Sequence, residues 1–527
     1  MTDIDRLKAM AKAGKLSRRE FMVGAIAAGA TVSAASSMFT TIARAEMKKG
    51  GSLKIGLGHG ATTDSLDPAT YPDQMTGTCC WGTMSNSLTE VDIKGNITGD
   101  LAESFEPSDG AKKWAFKLRK GVTFHNGKTV TTDDVVGSIQ HHMGEGSKSA
   151  AKSVIADITE IKADGDNVVI SLKGGNADFP YLMSDYHLPI MPVADGKADW
   201  QSGVRTGPYT LEKWEPGVRA TLKKNPNYYR DAGFDDVSFT VISDVAARTN
   251  ALTSGEVNYI DRCDLKTVNL LKQDPNIEVT EVTGFGHYIF VMNVTQAPFD
   301  NPDVRNALKY AIDREAIKNK VFLGFAAVGN DNPIAPSIKF ATNPEPLHTY
   351  NPEKAKELLK AAGIENLTVD LSVADAAFGG AVDAGQLFAE SAKAAGITIN
   401  VVREANDSYW DAVWLKKPFV ASYWNGRPTV DYMMTTAYAA DAAWNDTFWK
   451  NPRFNELLVA ARSETDDAKR AGMYAEMQQL VHDDGGLINI VFSTYVNANN
   501  KTQLAHGEIG ANWDLDGMKI AQRWWSA

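Results

Sequence analysis

Between Asn301 and Gly486 the apolar positions fall into two alternating rhythms. After Asn301-Pro302, the residues Val304, Ala307, Leu308, Ala311 and Ile312 recur at the spacing of one helix face. An asparagine cap with proline at the first helical position marks where that helix begins. Asn351-Pro352 repeats the device ahead of a helix that Gly363 ends. The pattern then predicts an alternating strand from Leu367 to Val373, a helix closing at Gly396 and a strand from Ile397 to Arg403. A helix from about Ser408 and a strand from Phe419 to Trp424 complete the series. Such a β-α-β-α-β order implies a largely parallel sheet with helices on its faces. Ligands of these sheets bind beyond the carboxyl ends of the strands, where Trp424-Asn425-Gly426-Arg427 falls.

The first half follows another pattern. Trp114, Phe116 and Leu118 alternate as in a strand, Gly121 to Gly127 makes a turn, and Thr131 or Thr132 can cap a helix. Val168 to Leu172 is a further strand. A separate α+β lobe is expected over about residues 85–205, and the last forty residues return to strand-like segments ending in Trp524-Trp525. The fold class is therefore α/β with a mixed α+β sub-lobe.

The N-terminus departs from both rhythms. Ser17-Arg18-Arg19-Glu20-Phe21-Met22 precedes an uncharged stretch from Val23 to Ile42 and then Ala43-Arg44-Ala45. That is the order of an export signal, and the paired arginines are of the twin-arginine type. Gly24, Gly29, Ser33, Ser36 and Ser37 make the stretch too polar for a good membrane span. Cleavage is expected near Ala45/Glu46, leaving a periplasmic chain. No later run of apolar residues is long enough to span, so stable membrane insertion is not expected.

Residues 1–45 hold seven of the 54 Lys/Arg and three of the 65 Asp/Glu, so the remainder carries 47 basic and 62 acidic side chains, a net charge of −15. That sign argues against nucleic acid as a partner and against an anionic membrane surface. Cys79, Cys80 and Cys263 are the three cysteines. The adjacent pair is too cramped for an ordinary disulfide; Cys263 can bridge to one of them, or all three can be buried thiols. Without C-x-x-C, neither an iron–sulfur cluster nor a cysteine zinc site is expected.

Catalytic motifs are missing: G-x-S-x-G, H-E-x-x-H and the Walker A pattern do not occur. Gly56-x-Gly58-x-Gly60 has the wrong spacing for a phosphate loop and reads as a tight turn. His141-His142 cannot point the same way on a helix, which suggests a solvated surface rather than a metal pair. Asp133-Asp134 suit the start of a helix dipole. No enzyme activity and no cofactor are expected; the competing class is an exported, cofactor-bearing enzyme, since twin-arginine export carries folded proteins of that kind. Five of the twelve tryptophans lie between positions 410 and 449. Trp410 and Trp414, at i,i+4 on one helix, suit a core. Trp424 precedes a Gly-Arg-Pro loop at a strand end and suits either a core or an aromatic wall beside a small molecule.

Spread along the chain in order are Ser65-Leu66-Asp67-Pro68-Ala69, Leu101-Ala102-Glu103-Ser104-Phe105, Trp114 to Arg119, Gly121 to Gly127 and Thr132-Asp133-Asp134-Val135. Thr206-Gly207-Pro208-Tyr209, Asn225 to Tyr229, Pro302 to Leu308 and Ala311-Ile312-Asp313-Arg314 follow. With these segments the chain resembles the extracellular solute-binding proteins of family 5, the dipeptide/oligopeptide/nickel class that feeds ABC importers. The resemblance runs from about Gly51 to near the C-terminus. It implies a two-lobed, periplasmic-binding-protein-like clamp: a discontinuous lobe of 46–84, 206–291 and 490–527, an inserted sub-lobe of 85–205, and an opposing lobe of 292–489. It also implies a monomer that closes around a ligand and docks to the permease subunits.

In peptide-binding relatives, the loop after the tryptophan matching Trp424 carries an aspartate that pairs with the peptide's amine. This chain has Arg427 there, and a guanidinium suits a carboxylate or phosphate instead. Asp431 can take over the amine, or Arg427 can pair with Asp431 and leave the cleft. Candidate ligand-binding residues are thus Trp424, Asn425, Arg427 and Asp431, with Asn293 at the crossing between lobes and Tyr71 and Gln74 completing the set. A short peptide is the default ligand; a carboxylate-rich amino-acid conjugate, opine or metal chelate is the rival.

Overall fold

The computed structural model describes residues 48–527 apart from 145, 146, 407 and 408, with isolated positions before residue 29. The paired arginines Arg18 and Arg19 and the Ala43-Arg44-Ala45 site lie outside the described residues.

An eleven-stranded mixed sheet runs through the molecule. Its order is Tyr209–Glu215, Arg219–Lys224, Asp236–Val241, Ser52–Leu57, Tyr259–Ile260, Leu487–Asn500, Ile277–Met292, Phe419–Trp424, Leu367–Val373 and Ile397–Arg403, with Ala326–Val328 paired to Leu487–Asn500. The three strands read from the second half have the bounds the alternation predicts. Leu367–Val373 pairs in parallel with Ile397–Arg403 and, at Ser372 and Val420, with Phe419–Trp424. The helix Ala381–Ala392 lies against this part, Gly385 facing Val373 and Val401. Phe419–Trp424 then runs antiparallel to Ile277–Met292, so the sheet is mixed rather than parallel throughout.

The long strands Ile277–Met292 and Leu487–Asn500 pair antiparallel and connect two cores. Phe285, Ile289, Phe290 and Val291 enter a large apolar cluster with Leu371, Phe388 and Phe419. At the other end Ile277 and Ala498 join Leu252, Ile260 and Cys263. Pairing becomes irregular between Thr283 and His287. Gly284 sits there because a Cβ would stand 2.7 Å from the Tyr495 ring.

A second, four-stranded antiparallel sheet is built from Ala102–Ser108, Lys113–Leu118, Asn167–Leu172 and Ile158–Asp164. Trp114, Phe116 and Leu118 are buried and alternate with Lys113 and Lys117, which is why this segment extends with one face inward. The helix Thr132–Gln140 starts at Thr131 in a capping box with Asp134. Their core joins Phe124, Val135, Ile139, Val168 and Ile170. A further cluster gathers Leu53, Ile55, Trp81, Tyr209, Phe239 and Trp524, so the C-terminal segment closes onto the first strand.

Two local expectations change. His142 is fully buried, with Nδ1 2.7 Å from the Ser149 hydroxyl, and burial lowers its pKa to about 4. The two histidines do diverge, but only His141, held by Asp67, keeps some exposure. The helix after residue 408 is a single turn, Tyr409–Ala412, so Trp414 lies beyond its end. Asp133 and Asp134 do lie in the first turn of a helix, as their place at a dipole start requires, and Asp134 is buried under Lys128. Cys79, Cys80 and Cys263 are free buried thiols.

Candidate ligand-binding site

A cavity of about 240 Å³ lies where segments from three of the cores meet. Tyr181 to His187 come from the core of the four-stranded sheet, Asn425 to Tyr432 from the end of the strand Phe419–Trp424, and Trp513 to Arg523 from the C-terminal segment.

The loop carrying Arg427 is held from both sides. Gly426 packs on the strand Ile277–Met292 so closely that a Cβ would fall 2.2 Å from that of Phe285. Two residues after Arg427, the Thr429 hydroxyl caps the helix Val430–Ala437 by accepting from the Tyr432 amide. Arg427 Nη1 donates to the carbonyls of Asn425 and Gly426 at 3.1 and 3.3 Å, and its guanidinium lies 5.2 Å from the Tyr432 ring centre. Its Nε is buried without a partner. No carboxylate among the described residues stands within ion-pair distance of it; Asp431 pairs with Arg462 instead, at 3.2 Å. The other two cations of the cavity are neutralised, Lys519 by Glu90 at 2.8 Å and Arg523 by Asp516 at 3.0 Å.

The facing wall is aromatic. The Tyr186 and His187 rings lie with centres 3.9 Å apart, tilted by 36°, and Tyr186 meets Trp513 edge-on at 5.7 Å. His187 is itself anchored, Nδ1 lying 2.7 Å from Asp185 Oδ1 and Nε2 3.1 Å from the Tyr71 carbonyl. Burial raises the Tyr186 and Tyr432 phenols above the ordinary tyrosine range, so both are hydrogen-bond donors at neutral pH. Among the smaller influences on each, the Asp185 charge adds to the rise and that of Arg427 opposes it.

Trp513 and Lys519 reach the cavity through a left-handed turn. Leu515, Asp516, Gly517 and Met518 all have φ between 51° and 68°, a conformation costing roughly 1–2 kcal/mol at each non-glycine residue. Asp516 helps hold it, accepting from the Gly510 amide, Arg523 and the Trp524 indole.

Of the candidates read from the sequence, Asn425 and Arg427 line the cavity. The other five do not. Trp424 is buried with its ring 6.2 Å from Trp444, because successive strand residues face opposite sides. Asp431 faces Arg462, and burial pushes its carboxyl up to about 6. The Asn293 side chain accepts from Thr295. Tyr71 bonds Leu66 and contributes only the carbonyl that holds His187, and Gln74 is buried. Asp185, Tyr186, His187, Tyr432, Trp513 and Lys519 were not among the candidates. The one hint of them is Asp185-Tyr186-His187, a charged and aromatic run inside an apolar stretch. Among the described residues no cluster of three or more His, Cys, Asp or Glu side chains is placed to hold a metal ion.

Comparison with known proteins agrees with this architecture. The family model described as bacterial extracellular solute-binding proteins, family 5 (middle region), matches residues 96–446. The glutathione-binding protein GsiB of Escherichia coli K12 is 26% identical over 475 residues, covering 84% of this chain and 89% of the relative. Among solved structures, HbpA2 from Haemophilus parasuis superposes with a TM-score of 0.81 at 21% identity, covering 89% of this chain and 99% of that one. The periplasmic binding protein DppA from Helicobacter pylori, in complex with the peptide STSA, gives 0.71 at 23% identity over 92% and 100%. These structural likenesses establish the two-lobed periplasmic-binding-protein fold.

Proposed function

This chain belongs to the bacterial extracellular solute-binding proteins of family 5, and on that premise we propose that it captures a small, peptide-like solute bearing a carboxylate and delivers it to the permease subunits of an ABC importer. The observation that carries the ligand class is Arg427: a guanidinium in the cavity with a buried, unpartnered Nε and no carboxylate of its own. The half-buried guanidinium meets two backbone carbonyls but no counter-charge, and a ligand carboxylate in its fork supplies a charge-assisted, bidentate partner. The cavity draws its walls from separate cores, so bound solute makes contacts that an opened molecule lacks and favours closure. The lobes we assign are 46–84 with 206–291 and 490–527, then 292–489, with 85–205 inserted. The grouping of buried side chains supports this division except at two of its edges, where Phe285 to Val291 and Ile490 to Phe492 pack into the core of the opposing lobe. The protein performs no chemistry of its own in this role.

The leader with Arg18-Arg19 and Ala43-Arg44-Ala45 supports export to the periplasm with cleavage near Ala45/Glu46. No helix among the described residues is long and apolar enough to cross a membrane.

The relative named for glutathione makes reduced glutathione, a tripeptide with two carboxylates, the first probe. Calorimetric titration of the purified protein should show binding that Arg427→Ala and Arg427→Asp each weaken by at least about tenfold. Equal affinity in all three proteins, for glutathione and for a panel of acidic tripeptides, removes Arg427 from the site and this ligand class with it.

A further inference from the structure

A second charged group of the cavity is only half used. Asp185 lines it from the wall opposite in origin to Arg427. Its Oδ1 accepts from the His187 amide at 2.9 Å and faces His187 Nδ1 at 2.7 Å, while Oδ2 has no hydrogen-bond partner among the described residues. Asp185 and Arg427 are not ion-paired, yet both charges act on the Tyr186 and Tyr432 phenols. Tyr186, Tyr432 and Trp513 line the same cavity, which thus has an acceptor from one segment and a donor fork from another. Carboxylate oxygen beside aromatic faces is a favourable setting for an ammonium group.

We propose that Asp185 is a specificity-determining residue that takes an ammonium group of the solute, so that the ligand class is a zwitterion with an amine as well as a carboxylate. The inference rests on the reading of Arg427 as the carboxylate anchor. It also relocates the amine acceptor from the strand-end loop, where Arg427 stands and Asp431 is taken by Arg462, to the inserted segment.

The test compares free and N-acetylated forms of the same probes, glutathione and a panel of acidic tripeptides, by calorimetry on the full mature chain. The wild-type protein should bind the acetylated forms at least about tenfold more weakly, since a site built for a polar group rejects the analogue lacking it. Asp185→Asn, which keeps the acceptor for the His187 amide, should bring the two forms to within about threefold by weakening the free-amine form. Wild-type affinity unaffected by acetylation overturns the inference without any variant, as does failure of every free-amine probe to bind. Discrimination persisting in Asp185→Asn while Arg427→Ala abolishes binding removes Asp185 alone. Unchanged binding in Arg427→Ala with discrimination lost in Asp185→Asn instead removes the carboxylate reading.

Discussion

Arg470 and Asp178, 292 positions apart, form a buried ion pair where the core of the four-stranded sheet meets the helix Asp467–Asp484. Their side chains are 6% and 8% exposed. The guanidinium also lies over Phe340 and Tyr474, 5.2 and 5.4 Å from the ring centres. Beside it, the Ala177 amide donates to the Arg462 carbonyl at 2.7 Å. The seam next to the cavity is thus closed by charge as well as by contact.

Removing one partner of a buried pair strands the other. Arg470→Met should destabilise the protein by about 3–5 kcal/mol, and the double variant Asp178→Asn, Arg470→Met should recover part of that loss. Denaturant midpoints of the four proteins measure it. A loss below about 1 kcal/mol in Arg470→Met means that the pair is too well solvated to close the seam.

Gly426 tests how the Arg427 loop is placed. An added Cβ would stand 2.2 Å from the Phe285 Cβ and 2.9 Å from its carbonyl carbon, both belonging to a buried strand residue that cannot yield. Gly426→Ala should cost about 1–3 kcal/mol of stability by overpacking. It should also weaken solute binding, because the loop must move away from Phe285. Calorimetry with thermal unfolding separates the two effects; full affinity in the variant would show that Arg427 does not depend on this contact.

Asp446 is buried beside Trp414, whose indole donates to its Oδ2 at 3.1 Å. Burial raises its carboxyl from 3.8 to about 7 despite that bond. The folded state therefore keeps a proton that the unfolded chain releases between these values. Wild-type stability from this group falls as pH rises across the window, by about 1.4 kcal/mol per pH unit. Asp446→Asn should be more stable than wild type at pH 8, with the gap closing toward pH 4. Melting temperatures across pH show it, and a gap that widens on acidification would contradict the buried-carboxyl account.

Glu90 has the opposite sign. Burial works to raise its carboxyl, but Lys519 and Arg230 overcome that and hold it at about 2 rather than 4.5. Its contribution is present above pH 4.5 and fades as pH falls toward 2. Glu90→Gln should therefore melt below wild type at pH 7, with the two curves converging in acid. Parallel curves from pH 7 to pH 2 would mean that the charge of Glu90 contributes nothing.

The strands Leu367–Val373, Ile397–Arg403 and Phe419–Trp424 were readable because alternation and flanking turns are local. So were the caps Asn301 and Asn351, each of which accepts from an amide within its own helix. Arg427 was readable because it lies in the loop just past the end of one of those strands. For Trp424 the sequence left core and cleft wall both open, and its burial beside Trp444 depends on what lies across the strand. His142 was misjudged for a related reason: divergence of neighbours says that one faces inward or outward, not which.

Sequence alone determined the strands between Leu367 and Trp424 with the two Asn-Pro-capped helices, the anionic balance of the chain and the arginine after the strand that departs from the peptide-binding pattern. The first two follow from spacing and composition, which act over a few residues, and the third is what the family resemblance implies. Tertiary structure decided what faces Arg427. Tyr186 and Trp513 meet at 5.7 Å although more than three hundred residues separate them in the chain. Asp431 is lost to Arg462, and Asp185 Oδ2 has no hydrogen-bond partner among the described residues. Such relations depend on which buried surfaces pack together, and a side chain's neighbours across a cavity leave no periodic trace along the chain.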